Sequence, residues 1–88
     1  MKTLIFYRDL SEHGQPVREF LREFTRQTGK TVEGVDPDSA QGIELCRLYD
    51  IVEYPTVVAV DNEGHMQQMW RGLPLPTIME VSYYVQQN

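Results

Sequence analysis

The stretch from Thr3 to Val35 constrains the fold most. It opens with a short apolar run, Thr3 to Arg8, rich in branched and aromatic residues and closed by Asp9. It ends with a second strand-like run, Thr31 to Val35. Between them, Pro16 to Thr28 carries Val17, Phe20, Leu21 and Phe24 at i, i+3, i+4 and i+7, one apolar stripe of a helix. Arg18, Glu19, Arg22, Glu23 and Arg26 fill the opposite, solvated face. Pro16 suits the first helical turn, where its missing N–H costs nothing. Gly29 supplies a left-handed stop. Two strands joined through a helix must be parallel, with a right-handed crossover. A parallel pair needs cover on both faces, so the chain is committed to an α/β architecture.

The rest of the sequence completes that plan. In Asp36-Pro37-Asp38, Asp36 can cap a helix and Pro37 fits its first position. This helix is expected to reach Leu48 or Tyr49, with Ile43, Cys46 and Tyr49 on its buried face. Thr56 to Val60 reads as a third strand and Asp61 to Gly64 as a tight turn. His65 to Arg71 reads as a fourth strand, antiparallel to the third. Its imperfect alternation (Met66, Gln67, Gln68, Met69, Trp70) suits an edge, with Met69 and Trp70 as packing residues. Thr77-Ile78-Met79-Glu80 has the form of a capping box. It opens a last helix with Ile78, Val81 and Val85 buried and Tyr84 flanking. The order is βαβαββα: one domain over residues 1–88, a mixed four-stranded sheet with helices on both faces.

Composition then removes function classes. With one cysteine in 88 residues, no internal disulfide, zinc finger or iron–sulfur cluster can form. Eight basic against 13 acidic residues, a net charge of −5, argue against nucleic acid and anionic lipid as partners. No apolar run approaches the roughly 20 residues of a membrane span. The start, Met1 to Arg8, is too short in its apolar part for a signal peptide. A cytoplasmic location is expected. His13 and His65 offer no paired ligand spacing, so no metal and no cofactor is expected.

One motif carries a resemblance. Tyr49-Asp50-Ile51-Val52-Glu53-Tyr54-Pro55-Thr56 resembles the thioredoxin signature Tyr-x-Ile-x-x-Ile-Pro-Thr. The apolar strand, the turn ending in Gly64, the edge strand and Gly72 that follow are similar to thioredoxins too. The resemblance spans nearly the whole chain and implies a thioredoxin-like fold. It implies a cis bond before Pro55, and backbone groups of Tyr54 exposed as an edge that pairs with an extended peptide or with glutathione.

The departure from the family lies after the first strand. There the resemblance calls for Cys-x-x-Cys at a helix N-terminus, where free N–H groups depress a thiol pKa. This chain reads Asp9-Leu10-Ser11-Glu12-His13-Gly14-Gln15-Pro16, with Ser11 and Gly14 at the cysteine positions. Disulfide exchange needs a thiolate and a resolving thiol, so dithiol chemistry is not expected. Ser11, Glu12 and His13 are adjacent in one loop, which rarely lets a nucleophile, base and acid converge. Ser11 reads instead as a helix cap, and no catalytic residue is assigned.

The expectation is therefore a non-catalytic binding module. It would hold a protein or peptide segment in a groove formed by Ser11, Glu12, His13, Gly14, Tyr54, Pro55 and Gly72. The alternative is a thiol-redox or glutathione-binding enzyme or accessory acting through Cys46 or a partner's thiol. Cys46 is read as a small apolar residue on a buried helix face, away from that groove. Self-association through the fourth strand is a third possibility.

Overall fold

The computed structural model describes residues 2–85. Its elements are β1 (Lys2–Phe6), α1 (Gly14–Thr28), β2 (Glu33–Val35), α2 (Ala40–Tyr49), β3 (Thr56–Val60), β4 (Met66–Arg71) and α3 (Ile78–Val85). The sheet order is β2-β1-β3-β4. β1 runs parallel to β2 and antiparallel to β3, and β3 and β4 form a hairpin. The α/β architecture expected from the sequence is the one observed.

Each face of the sheet has its own core. On one, Leu4, Phe6, Val58 and Val60 pack with Tyr49 and Ile51 at the end of α2. On the other, Ile5 and Val57 meet Val17 and Phe24 of α1 and Val81 and Val85 of α3. The period-2 alternation of β1 and β3 thus feeds both layers, so every residue of β3 is buried. Thr3 Oγ1 is the one buried side-chain oxygen without a hydrogen bond among the described residues.

Helix termini follow local chemistry, with corrections. α1 begins at Gly14, two residues ahead of the expected Pro16. Its cap position is His13, whose side chain caps nothing. Ser11 is no cap: its hydroxyl donates to the Arg8 carbonyl at 2.6 Å. Gly29 ends the helix at φ 71°, as its lack of a Cβ allows. β1 stops at Phe6 and β2 starts at Glu33, both shorter than the apolar runs suggest.

α2 is capped by Ser39, whose Oγ accepts the Gly42 N–H at 2.9 Å. The expected cap Asp36 and first helical residue Pro37 both precede it; Asp36 Oδ1 instead accepts the Asp38 N–H at 2.9 Å. The inward face of the helix is Gly42 and Tyr49, with Leu45 and Cys46 partly buried, and Ile43, expected on that face, is 47 % exposed. α2 ends with Asp50 in the left-handed region, at φ 56°. The Ile51 N–H then bonds back to the Cys46 carbonyl at 2.8 Å, satisfying a terminal acceptor.

The Asp61 carboxylate accepts the Glu63 and His65 N–H groups, which closes the hairpin turn. β4 is an edge strand, and a register shift between Ala59 and Val60 leaves Gln67 as an extra residue. At α3 the capping box is complete. Thr77 Oγ1 accepts the Glu80 N–H at 3.1 Å, and Glu80 Oε1 accepts the Thr77 N–H at 3.0 Å. Trp70 packs edge-on against Tyr84, ring centroids 5.5 Å apart.

Phe6 has no exposed surface and sits where β1 meets β2, β3 and α2. Phe6→Ala is expected to cost about 3–5 kcal/mol, measured as a lower urea midpoint with an unchanged slope.

Candidate functional site

The strand register gathers the loops. Phe6 pairs with Val35 on one side and Thr56 on the other, and Thr56 pairs with Arg71. The ends of β1, β2 and β4 and the start of β3 therefore share one edge of the sheet. The Ser11–Gly14 loop, the Tyr54–Pro55 turn and Gly72 all emerge there, joined by the Asp36–Ser39 loop.

The Tyr54–Pro55 peptide bond is cis, and so is Leu73–Pro74, which the sequence reading did not single out. The Gly72 N–H donates to the Pro55 carbonyl at 2.7 Å, tying the turn to the end of β4. Gly72 takes φ +71°, and a Cβ there would stand 2.7 Å from Glu53 Oε2. A side chain at this position would meet both a strained backbone and a carboxylate.

Arg8, which the sequence reading passed over, is the hub. Its Nε and Nη2 donate to the two Asp38 carboxylate oxygens at 3.0 and 3.2 Å. Its guanidinium lies 4.7 Å from the centroid of the Tyr54 ring, a cation–π arrangement. The Arg8 N–H donates to His13 Nε2 at 3.0 Å, and its carbonyl takes the Ser11 hydroxyl. His13 Nε2 must carry a lone pair for this bond. Ser11 and His13 are thus turned to opposite groups of one backbone, not to each other, and no nucleophile–base pair forms. Glu12 is exposed at the loop surface.

Beneath Arg8, the Tyr54 hydroxyl lies 3.7 Å from Cys46 Sγ. This corrects the reading that Cys46 stands apart from the groove: it is half-buried, one side chain below it. Burial is the main cause pushing the Tyr54 phenol above its ordinary range, with the Cys46 contact adding and Arg8 opposing. Hydrogen bonds from Arg8, reinforced by its charge, hold the Asp38 carboxyl below the usual aspartate range. Arg8, Asp9, Leu10, Ser11, Asp36 and Asp38 line an open groove of about 510 Å³.

Gly14 packs against the loop that leaves β1. A Cβ on it would lie 2.1 Å from the Asp9 carbonyl oxygen, which also accepts from Arg18 Nη1 at 2.9 Å. The backbone is folded onto the place a side chain would occupy. Among the described residues, no three His, Cys, Asp or Glu side chains converge as a metal site. No helix among them is long and apolar enough to cross a membrane.

Solved structures share this fold. Thioredoxin 1 of the thermophilic eubacterium Thermosipho africanus TCF52B matches 99 % of this chain and 92 % of its own, with a TM-score of 0.67 and 16 % identity. The reduced thioredoxin pre-protein of Schistosoma mansoni matches 97 % of this chain and 75 % of its own, with a TM-score of 0.70 and 20 % identity. Oxidised thioredoxin O2 of Arabidopsis thaliana covers 98 % of this chain and 72 % of its own, with a TM-score of 0.68 and 13 % identity. No protein-family profile matches the chain, and no curated protein matches it by sequence. The fold is thioredoxin-like, and at these identities the likeness speaks to the fold alone.

Two outcomes are expected. Gly14→Ala should destabilise the chain by about 1–3 kcal/mol through overpacking, read from chemical denaturation. Asp38 should titrate below the ordinary aspartate range in carboxyl NMR, and Arg8→Ala should move it back up. A depressed carboxyl pKa stabilises the fold above the unfolded-state value, and this contribution is lost as pH falls through the folded-state pKa. Arg8→Ala should therefore flatten the acid limb of the stability profile.

Proposed function

We propose that this chain is a non-catalytic binding module that holds an extended peptide along the Tyr54–Pro55 turn, between the Ser11–Gly14 loop and Gly72. One observation carries the reading. Among the described residues, no hydrogen bond engages the Tyr54 backbone N–H or C=O, while Pro55 next to it is bonded to Gly72. A strand-like segment laid beside Tyr54 would satisfy both groups, the main-chain pairing of β-strand addition. The chemistry of the loop supports a binding role over a redox one. Position 11 holds a hydroxyl that donates to the Arg8 carbonyl, and position 14 has no room for a side chain.

A second reading, thiol chemistry or glutathione binding through Cys46, is favoured by the contact between its Sγ and the Tyr54 hydroxyl. The two separate cleanly. Linear peptides selected from a random displayed library should shift the amide signals of Glu53, Tyr54, Thr56 and Gly72, and Pro55→Ala should weaken them at least tenfold. Arg8→Ala, an exposed change beside Tyr54, should also alter affinity and guards against a folding defect in the proline variant. Shifts confined to the Asp61–Gly64 turn, at the opposite end of the sheet, would defeat the proposal. Insulin reduction that disappears in Cys46→Ser would replace it with the second reading.

A further inference from the structure

The charge at the loop end of the sheet selects the kind of peptide. Several acidic side chains stand there, and some are already matched. Arg18 pairs with Asp9 at 2.6 Å, and Arg8 grips Asp38. Glu12, Asp36 and Glu53 form no salt bridge among the described residues. Asp36 lines the groove beside Arg8. Glu53 directly precedes Tyr54, and its carboxylate stands over the Cα of Gly72. The nearby cation Arg71 has its Nε directed at Met69 Sδ, 3.1 Å away. At the lip of the groove, Leu10 is 100 % exposed.

From this arrangement we infer that the segment held at Tyr54 is basic, with Lys or Arg at alternate positions and an apolar side chain among them. The inference rests on the peptide-binding reading above and adds the class of ligand. In an extended segment, alternate side chains point the same way. A cationic side chain beside Tyr54 can meet the Glu53 carboxylate, and cationic and apolar side chains reaching the adjoining groove can meet Asp36 and Leu10. The chain's net charge of −5 attracts such a segment at longer range, and an acidic segment would set like charges against Glu53.

Fluorescence anisotropy on the full chain tests this with three labelled synthetic peptides of one extended Val/Ser framework. They carry Lys, Ser or Glu at the alternate positions. The Lys peptide should bind, more weakly as salt rises; the Ser peptide should bind less well, and the Glu peptide least. Glu12→Gln and Glu53→Gln should each weaken the Lys peptide about two- to fivefold, the scale of an exposed ion pair, and soften its salt dependence. Glu63→Gln, in the turn at the far end of the sheet, should change nothing. Equal binding of the Lys and Ser peptides, both mapping to Tyr54, would overturn the charge selection and leave the peptide-binding reading standing. A Glu63→Gln effect as large as that of Glu53→Gln would reduce the inference to diffuse attraction and overturn it. Absence of binding by all three would count against both.

Discussion

The antiparallel pairing of β1 with β3 at the centre of the sheet governs the rest of the molecule. Both strands are buried from two sides, so their register is fixed by the sorting of apolar side chains between the two cores. A slip of one residue would turn Ile5 and Val57 toward α2 and Phe6 and Val58 toward α1. That register sets Phe6 opposite Thr56, and through it aligns four loops at one edge. The groove is thus a consequence of core packing. Its loops need not find one another, because the strands deliver them together.

What the loops do once there depends on close backbone packing. Gly14 in α1 and Gly42 in α2 are seated in the same way. A Cβ on either would lie about 2 Å from a carbonyl of the preceding loop, Asp9 in one case and Asp36 in the other. Each seat presses a helix start against the loop leaving its strand. Arg8 and Asp38 come from those two neighbouring loops, and their clasp covers Tyr54, which in turn covers the Cys46 thiol. The clasp is exposed and adds little stability; it fixes where a charge and an aromatic ring stand.

The sequence made the architecture legible because periodicity reports burial directly. The stripe Val17, Phe20, Leu21, Phe24 and the all-apolar β3 each have one plausible partner surface. The capping box at Thr77 was legible because both of its partners lie within four residues. α2 was harder: Asp36-Pro37 and Ser39 both look like starts, and three-dimensional packing of Gly42 on the Asp36 carbonyl favours the later one. Ile43 stands at solvent although it was expected on the buried face. The loops that carry the candidate residues emerge at one end of the sheet, but of those residues only Ser11 lines the groove beside Arg8. Arg8 and Asp38 were passed over because they are distant in sequence and each looks like an ordinary surface charge. Their signal was available, since opposite charges follow the ends of two adjacent parallel strands. The Tyr54–Cys46 contact had no such signal, because it depends on how the turn after α2 folds back over the helix.

The extra residue at Gln67 bears on how this molecule can meet others. A sheet has two flanks as well as ends, and a flank with regular unpaired amides is a template for indefinite stacking. Here one flank is β2, only three residues long. The other is β4, where the irregularity at Gln67 breaks the even spacing of donors and acceptors. Neither flank presents a long straight ladder. The open backbone pair at Tyr54 lies at the end of the sheet, away from either flank. The outline of the sheet thus keeps the open backbone pair apart from both strand edges.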